Sequence, residues 1–159
     1  MQPDIFLGSA ARLFVVLHAA SAIVLIGSST HHALVAIGAL RGKPRIRLAR
    51  IYAATVAGAY ALTFTLGLLA YPQFRYHVRA LFLDRFEPWA SNLFDMKENF
   101  AALGLPFVLA AFVMSRRLDD TRSDRVHVGV YAAFVLLGAA IVWFDVFSGI
   151  VITMTKGVP

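Results

Sequence analysis

The stretch LFVVLHAASAIVLIGSSTHHALVAIGAL, residues 13–40, runs for 28 residues without a carboxylate, an ammonium or a guanidinium group. About 20 mainly apolar residues are enough to cross the ~30 Å hydrocarbon core of a bilayer. At ~1.5 Å of rise per residue a helix of this length exceeds that core, so it must tilt, kink or protrude. The rest of the chain has the same character. Of its 159 residues 59% are hydrophobic and only 15% are charged, whereas soluble domains run near half apolar and about a quarter charged. Mean hydropathy is +0.70. A core of this size cannot hide so much apolar surface, which makes lipid the expected solvent.

Three more segments reach spanning length. Residues 51–71 carry no charge and meet Pro72, which is expected to stop the helix. Residues 93–115 take in Asp95, Lys97 and Glu98 and contain Pro106, where a kink is expected. Residues 126–154 contain a single carboxylate, Asp145. The expected fold is an all-α integral membrane protein: one four-helix transmembrane bundle over residues 1–159, with helices near 13–40, 51–71, 93–115 and 126–154. Between the second and third spans, Phe74, Val78, Leu81, Phe82 and Phe86 fall at helical spacing, with Arg75 and Arg79 on another face. This pattern predicts a short amphipathic helix over 73–87, lying in the membrane interface with Tyr71 and Trp89 as anchors.

The charges set an orientation. RGKPRIRLAR (41–50) holds five basic residues and no acid, and SRRLDDTRSDR (115–125) holds Arg116, Arg117, Arg122 and Arg125. The positive-inside rule puts the basic loops 41–50 and 116–125 in the cytoplasm, and the termini and residues 72–92 outside. A bacterial inner membrane is the expected location. The N-terminus has no basic segment ahead of its apolar run, so it does not read as a cleaved signal. The net charge of +6 belongs to these loops and gives no nucleic-acid surface. The absence of cysteine excludes disulfides, iron–sulfur clusters and thiolate zinc sites. No phosphate loop and no HExxH-type spacing is present. Small residues four apart, Ala54 with Gly58 and Gly129 with Ala133, suit close helix packing.

The candidate chemistry lies in polar residues at membrane depth, where each costs several kcal/mol and so tends to face the bundle interior. His18 and His32 are fourteen residues apart, close to four helical turns and about 21 Å, and so share one face. His31 is rotated off that face and is the alternative ligand, or a hydrogen-bonding residue. This spacing resembles that of the diheme cytochrome b family, in which one helix ligates two hemes stacked across the membrane. The resemblance covers one helix and two residues, and the matching second helix is missing. It implies heme b iron at His18 and His32, with His77 (outer side) and His127 (inner side) as second ligands and Arg75 and Arg79 on the propionates. Without iron, these histidines would hydrogen-bond Ser21, Ser28, Ser29, Thr30 or backbone carbonyls.

Asp145 sits in the outer third of its span. A carboxylate there is either protonated or paired, with Lys97, Arg75, Arg79 or His18 as candidate partners. Asp95 and Glu98 also fit the first turn of a helix. Together these outer residues have the composition of a proton path, a quinone pocket or a propionate anchor. Three functions follow. The first is a small electron-transfer subunit of a respiratory-type membrane complex, binding heme b, quinone or both. The second is a cofactor-free structural or assembly subunit. The third is a proton-linked transporter using Asp145. Partners are lipid and other membrane subunits, or a second copy in a homo-oligomer, without nucleic acid. The short loops leave no room for a soluble catalytic domain, so no independent enzymatic activity is expected.

Overall fold

The computed structural model describes residues 6–119 and 124–156; Arg122 of the second basic loop and the extreme termini lie outside the described residues. The uncharged opening stretch folds as one helix, α1 (Ala11–Leu40). Gly42 ends it in the left-handed region, at φ 75°. Its amide donates to Ala39 O, and that of Lys43 donates to Gly38 O, both at 3.0 Å. This pair of reversed bonds satisfies carbonyls that the helix end would otherwise leave open, and Pro44 then keeps the chain from continuing the helix.

Helix α2 (Ile46–Gln73) starts earlier than the uncharged stretch alone predicts. Arg47 and Arg50 therefore belong to its first turns, and the basic loop shrinks to residues 41–45. Arg50 turns away from the loop: Nη2 donates to Leu118 O at 2.7 Å and Nε to Ser115 O at 3.3 Å. A guanidinium at the start of a helix is poorly placed for its own dipole, but here it meets carbonyls at the end of another.

The expected stop at Pro72 is overturned. Pro72 lies inside α2, and the chain runs on through a ten-residue π-helical segment, Phe74–Leu83, and one more turn, Asp84–Phe86. The wider winding bonds each amide to a carbonyl five residues back, so it absorbs a proline that removes one ordinary helical bond. The segment over 73–87 is thus a continuation of α2 and not a separate short helix. Its buried positions change accordingly: Val78 and Leu83, five apart, are fully buried, while Leu81 and Phe86 are exposed.

Helix α3 (Pro88–Arg116) begins with Pro88 in its first turn, five residues before the predicted start, and runs through Pro106. That start corrects the reading of Asp95 and Glu98 as first-turn acids; both lie well inside the helix. Helix α4 (Arg125–Thr155) is capped by Asp124, whose side chain accepts from the His127 amide at 2.6 Å.

Helix is the only regular secondary structure among the described residues, without strands, and these four helices are long and apolar enough to cross a membrane. They pack as a ring, α1 against α2 and α4, and α3 against α2 and α4. Unlike that of a soluble bundle, the outer surface is apolar, while the interior mixes apolar side chains with a few polar ones. Ile23, Leu34, Val126 and Met154 are exposed at 71%, 62%, 72% and 82%. Inside lie Ser21, Ser28, Ser29, His32, Thr63, Ser115 and Ser148. In α1 the buried set Ser21, Leu25, Ser28, His32, Ala36 repeats every three to four residues, so the inward stripe is the more polar one. Serine and threonine hydroxyls satisfy themselves locally, for example Ser28 Oγ on Leu25 O at 3.1 Å.

Candidate functional site

His18 is half-buried and faces α2. Its Nδ1 meets Thr63 O at 2.9 Å. A backbone carbonyl can only accept, so Nδ1 carries the proton and Nε2 keeps its lone pair. Thr63 Oγ1 donates to Ser21 Oγ at 2.9 Å, and Ser21 Oγ donates to His18 O at 2.9 Å. Two short polar residues, Ser21 on α1 and Thr63 on α2, therefore fix His18. Gly67 leaves it room: a Cβ there would stand 3.2 Å from His18 Cε1.

Lys97 and Glu98 lie within electrostatic reach of both His18 and Asp145. The Lys97 ammonium pairs with Glu98 Oε1 at 3.0 Å, with the lysine side chain only 16% exposed. Asp145 does not bond to that lysine. Its Oδ1 is buried and has no hydrogen-bond partner among the described residues. Tyr60 completes the group: its ring lies in the field of Asp145, and its hydroxyl donates to Ala101 O at 2.6 Å. Gly104 makes the space for that hydroxyl, since a Cβ at 104 would collide with it. The cluster of His18, Tyr60, Lys97, Glu98 and Asp145 thus draws one or two groups from each of the four helices.

Asp95, Arg75, Arg79 and His77 do not join it. Arg79 binds Asp95 through two parallel bonds, Nη1–Oδ1 at 2.6 Å and Nη2–Oδ2 at 2.8 Å. Its Nε lies 3.6 Å from Asp84 Oδ1, which also accepts from Ser91 Oγ. This fork straps the π segment onto α3, and Phe94 lies beneath both Arg79 and Lys97 at 5.8 and 5.7 Å. Arg75 lines a surface groove with Tyr71, Pro72, Tyr76 and Ala80. His77 stands edge-on to Tyr76 at 5.1 Å.

The other histidines have separate surroundings. His32 is buried, and its Nε2 meets Tyr131 Oη at 2.6 Å. Beside it lies a cavity of about 10 Å³ lined by all four helices, including Ser29, Val56, Val108 and Gly138. That is room for about one water molecule. His31 is exposed, with Nδ1 on Gly27 O at 2.8 Å and its ring stacked on Tyr52 at 5.7 Å. His127 lies one turn before Tyr131 on α4, and its Nε2 is buried without a partner among the described residues. The histidines at 18 and 32 share a helix but address different neighbours, α2 and α4.

Sequence reading missed Tyr60, Tyr131 and Thr63. The available signal was position: both tyrosines sit within spans, whereas membrane tyrosines concentrate at the interfaces. No group of three or more histidine or acidic side chains suited to a metal ion occurs among the described residues. Comparison with family models, with curated proteins and with solved structures finds no match, so the reading of the site rests on its own chemistry.

Proposed function

We propose that the chain is an integral membrane subunit of a larger redox assembly, and that its outer-half cluster holds a quinone headgroup through His18. The observation that carries this reading is the imidazole of His18. Its Nδ1–H is tied to the Thr63 carbonyl, so Nε2 is left as an oriented acceptor in the field of the Lys97 ammonium and the Glu98 carboxylate, the same pair that acts on Asp145. Ionisable side chains among apolar helices are costly and mark functional sites by default. A quinone needs just such a mixture: polar groups that bond its oxygens and acid–base groups that exchange protons as it is reduced. The same nitrogen suits the iron of heme b, which is commonly held by an imidazole whose other nitrogen is tied to a carbonyl. His32 fits iron less well, because its Nε2 is already engaged by Tyr131.

The subunit character is supported by the outward face. His31 is a polar ring exposed on α1, far from either end of the helix. Lipid is a poor neighbour for it, and a partner helix or a second copy is a good one. The basic residues between Arg41 and Arg50 and between Arg116 and Arg125 favour, by the positive-inside rule, a cytoplasmic position for that end of the bundle, with the π segment on the opposite side. The cofactor-free structural subunit is the second reading. It is favoured by the closed Arg79–Asp95 and His32–Tyr131 pairs, which fix helix register without a ligand.

The test is binding of a short-chain quinone to detergent-solubilised protein, followed by quenching of the combined Trp89 and Trp143 fluorescence, with free tryptophan in protein-free micelles as the partition blank. The quenching should contain a saturable component. His18→Ala should abolish the saturable component and leave the helical circular dichroism intact. Saturable quenching that survives His18→Ala would remove His18 from the site, and quenching that never saturates would leave the structural reading.

A further inference from the structure

Among the described residues, two buried side-chain polar atoms lack a hydrogen-bond partner: His127 Nε2 and Asp145 Oδ1. Buried polar groups are nearly always paired, so each such atom calls for a specific cause, commonly a water or a proton-carrying role. One lies in each half of the polar interior of the bundle. On the inner side, His127 is one turn from Tyr131 on the same face of α4. The Tyr131 hydroxyl meets His32 Nε2 at 2.6 Å. His32 borders the water-sized cavity together with Ser29. On the outer side, Asp145 lies in the fields of Tyr60, Lys97 and Glu98, and those two charges in turn reach His18.

Between the two halves stands an apolar layer. Leu25, Val56, Val108 and Val142 are buried together, one from each helix, with Tyr60 at their outer edge. Measured on α4, the gap from the cavity wall at Ala139 to Asp145 is six residues, or about 9 Å. Val56 and Val108 belong to both the apolar layer and the cavity wall. The layer therefore rests directly on the inner cavity.

We propose that the bundle axis is a proton pathway in two halves, His127–Tyr131–His32 on the inner side and Tyr60–Asp145–Lys97–Glu98–His18 on the outer side, closed between them by the Val56–Val108–Val142 layer. One proton enters at one end as one leaves at the other. His127, Tyr131 and His32 accept on one side, release on the other, and return to their starting state by ring tautomer exchange and hydroxyl rotation. His18, tied at Nδ1 to Thr63 O, takes up and gives back the proton at Nε2 alone; Asp145 and the Lys97–Glu98 pair do so at their carboxylates and ammonium, and Tyr60, whose hydroxyl is tied to Ala101 O, holds water by its oxygen. Water completes the path at the two unpartnered atoms and in the cavity. Wetting of the valine layer opens it. The proposal rests on the membrane-crossing part of the function proposed above and is independent of any cofactor.

The experiment uses the full-length chain in vesicles of phosphatidylcholine and phosphatidylglycerol, with an entrapped pH-sensitive dye and a valinomycin-set potassium potential. Val108→Ser places a hydroxyl in the closing layer. It should speed proton uptake about tenfold over wild type, the effect of lowering a barrier by roughly 1.4 kcal/mol. Adding Asp145→Asn or His32→Leu to that variant should return uptake to the rate of protein-free vesicles. Wild type at the protein-free rate, with Val108→Ser above it, is a pathway closed at rest and supports the proposal. Folded, inserted Val108→Ser no faster than protein-free vesicles overturns it. So does fast uptake that Asp145→Asn and His32→Leu leave unchanged. Flotation with the vesicles is checked for every variant; a chain that does not float overturns the membrane reading as well, whereas a failed quinone titration leaves this result standing.

Discussion

Replacing Tyr131 by phenylalanine removes one oxygen atom and nothing else. The ring is fully buried, so its packing stays, and the loss falls on His32, whose Nε2 is bonded to that oxygen at 2.6 Å. An unpaired buried polar group costs about 1–3 kcal/mol. Inside membranes the pairwise values run lower, averaging about 0.6 and reaching about 1.7 kcal/mol, because the loosened state also finds partners. His32 is only 2% exposed, which puts this pair at the upper end. Its neighbouring cavity of about 10 Å³ gains the volume of the lost hydroxyl, and a water entering there limits the loss. The expected destabilisation is therefore about 1–2 kcal/mol. His32→Leu should cost a similar amount by stranding the phenol. The double variant His32→Leu/Tyr131→Phe should be no worse than either single one, since removing both partners leaves nothing unpaired. Equilibrium unfolding in mixed micelles of increasing denaturing-detergent content gives all three values. Additive single effects, with a coupling below about 0.3 kcal/mol, would refute a direct bond between the two side chains.

Gly104→Ala should destabilise by about 1–3 kcal/mol, because the new methyl collides with the Tyr60 hydroxyl and comes within 3.0 Å of Ile141; the same unfolding titration checks it, and Tyr60→Phe should relieve part of the loss. Gly42→Ala should cost about 1–2 kcal/mol through its positive φ of 75°, with faster amide exchange at the end of α1 as the local sign. Arg79→Lys should not replace arginine, since an ammonium cannot make the two parallel bonds to Asp95. The pair is partly exposed, at 24% and 49%, so global stability should change by less than about 1 kcal/mol; the readout is faster hydrogen exchange confined to residues 74–87.

The uncharged stretch 13–40 carried the fold because span length and apolar composition leave few alternatives. The ring of four long helices follows from four such segments joined by short loops. Two features escaped for definite reasons. Pro72 reads as a stop in an ordinary helix, and the pattern of Phe74, Val78 and Phe82 assumes 3.6 residues per turn. A π winding satisfies the proline and moves the buried position to Leu83, and nothing in residue type announces it. The candidate site was legible in part. His18, Lys97, Glu98 and Asp145 could be grouped from depth alone, because charge is rare in these spans. The direction each side chain takes could not. Asp95 and Glu98 are three residues apart, yet one pairs with Arg79 at the strap on the π segment and the other with Lys97 in the cluster. His31 and His32 are adjacent and differ by a turn of 100°, which exposes one ring and buries the other. The partner of the buried one, Tyr131, is 99 residues away.

The most direct measurement is made on the protein isolated from its native membrane in mild detergent: organic extraction for quinone, with the reduced-minus-oxidised absorption spectrum of the same sample. About one quinone per chain in the wild type, and none in folded His18→Ala, is the result expected for a headgroup site built on His18. A sharp α-band lost with the same substitution would instead make His18 an iron ligand. Folded protein that yields no quinone and a flat spectrum would contradict a cofactor site in the outer half of the bundle.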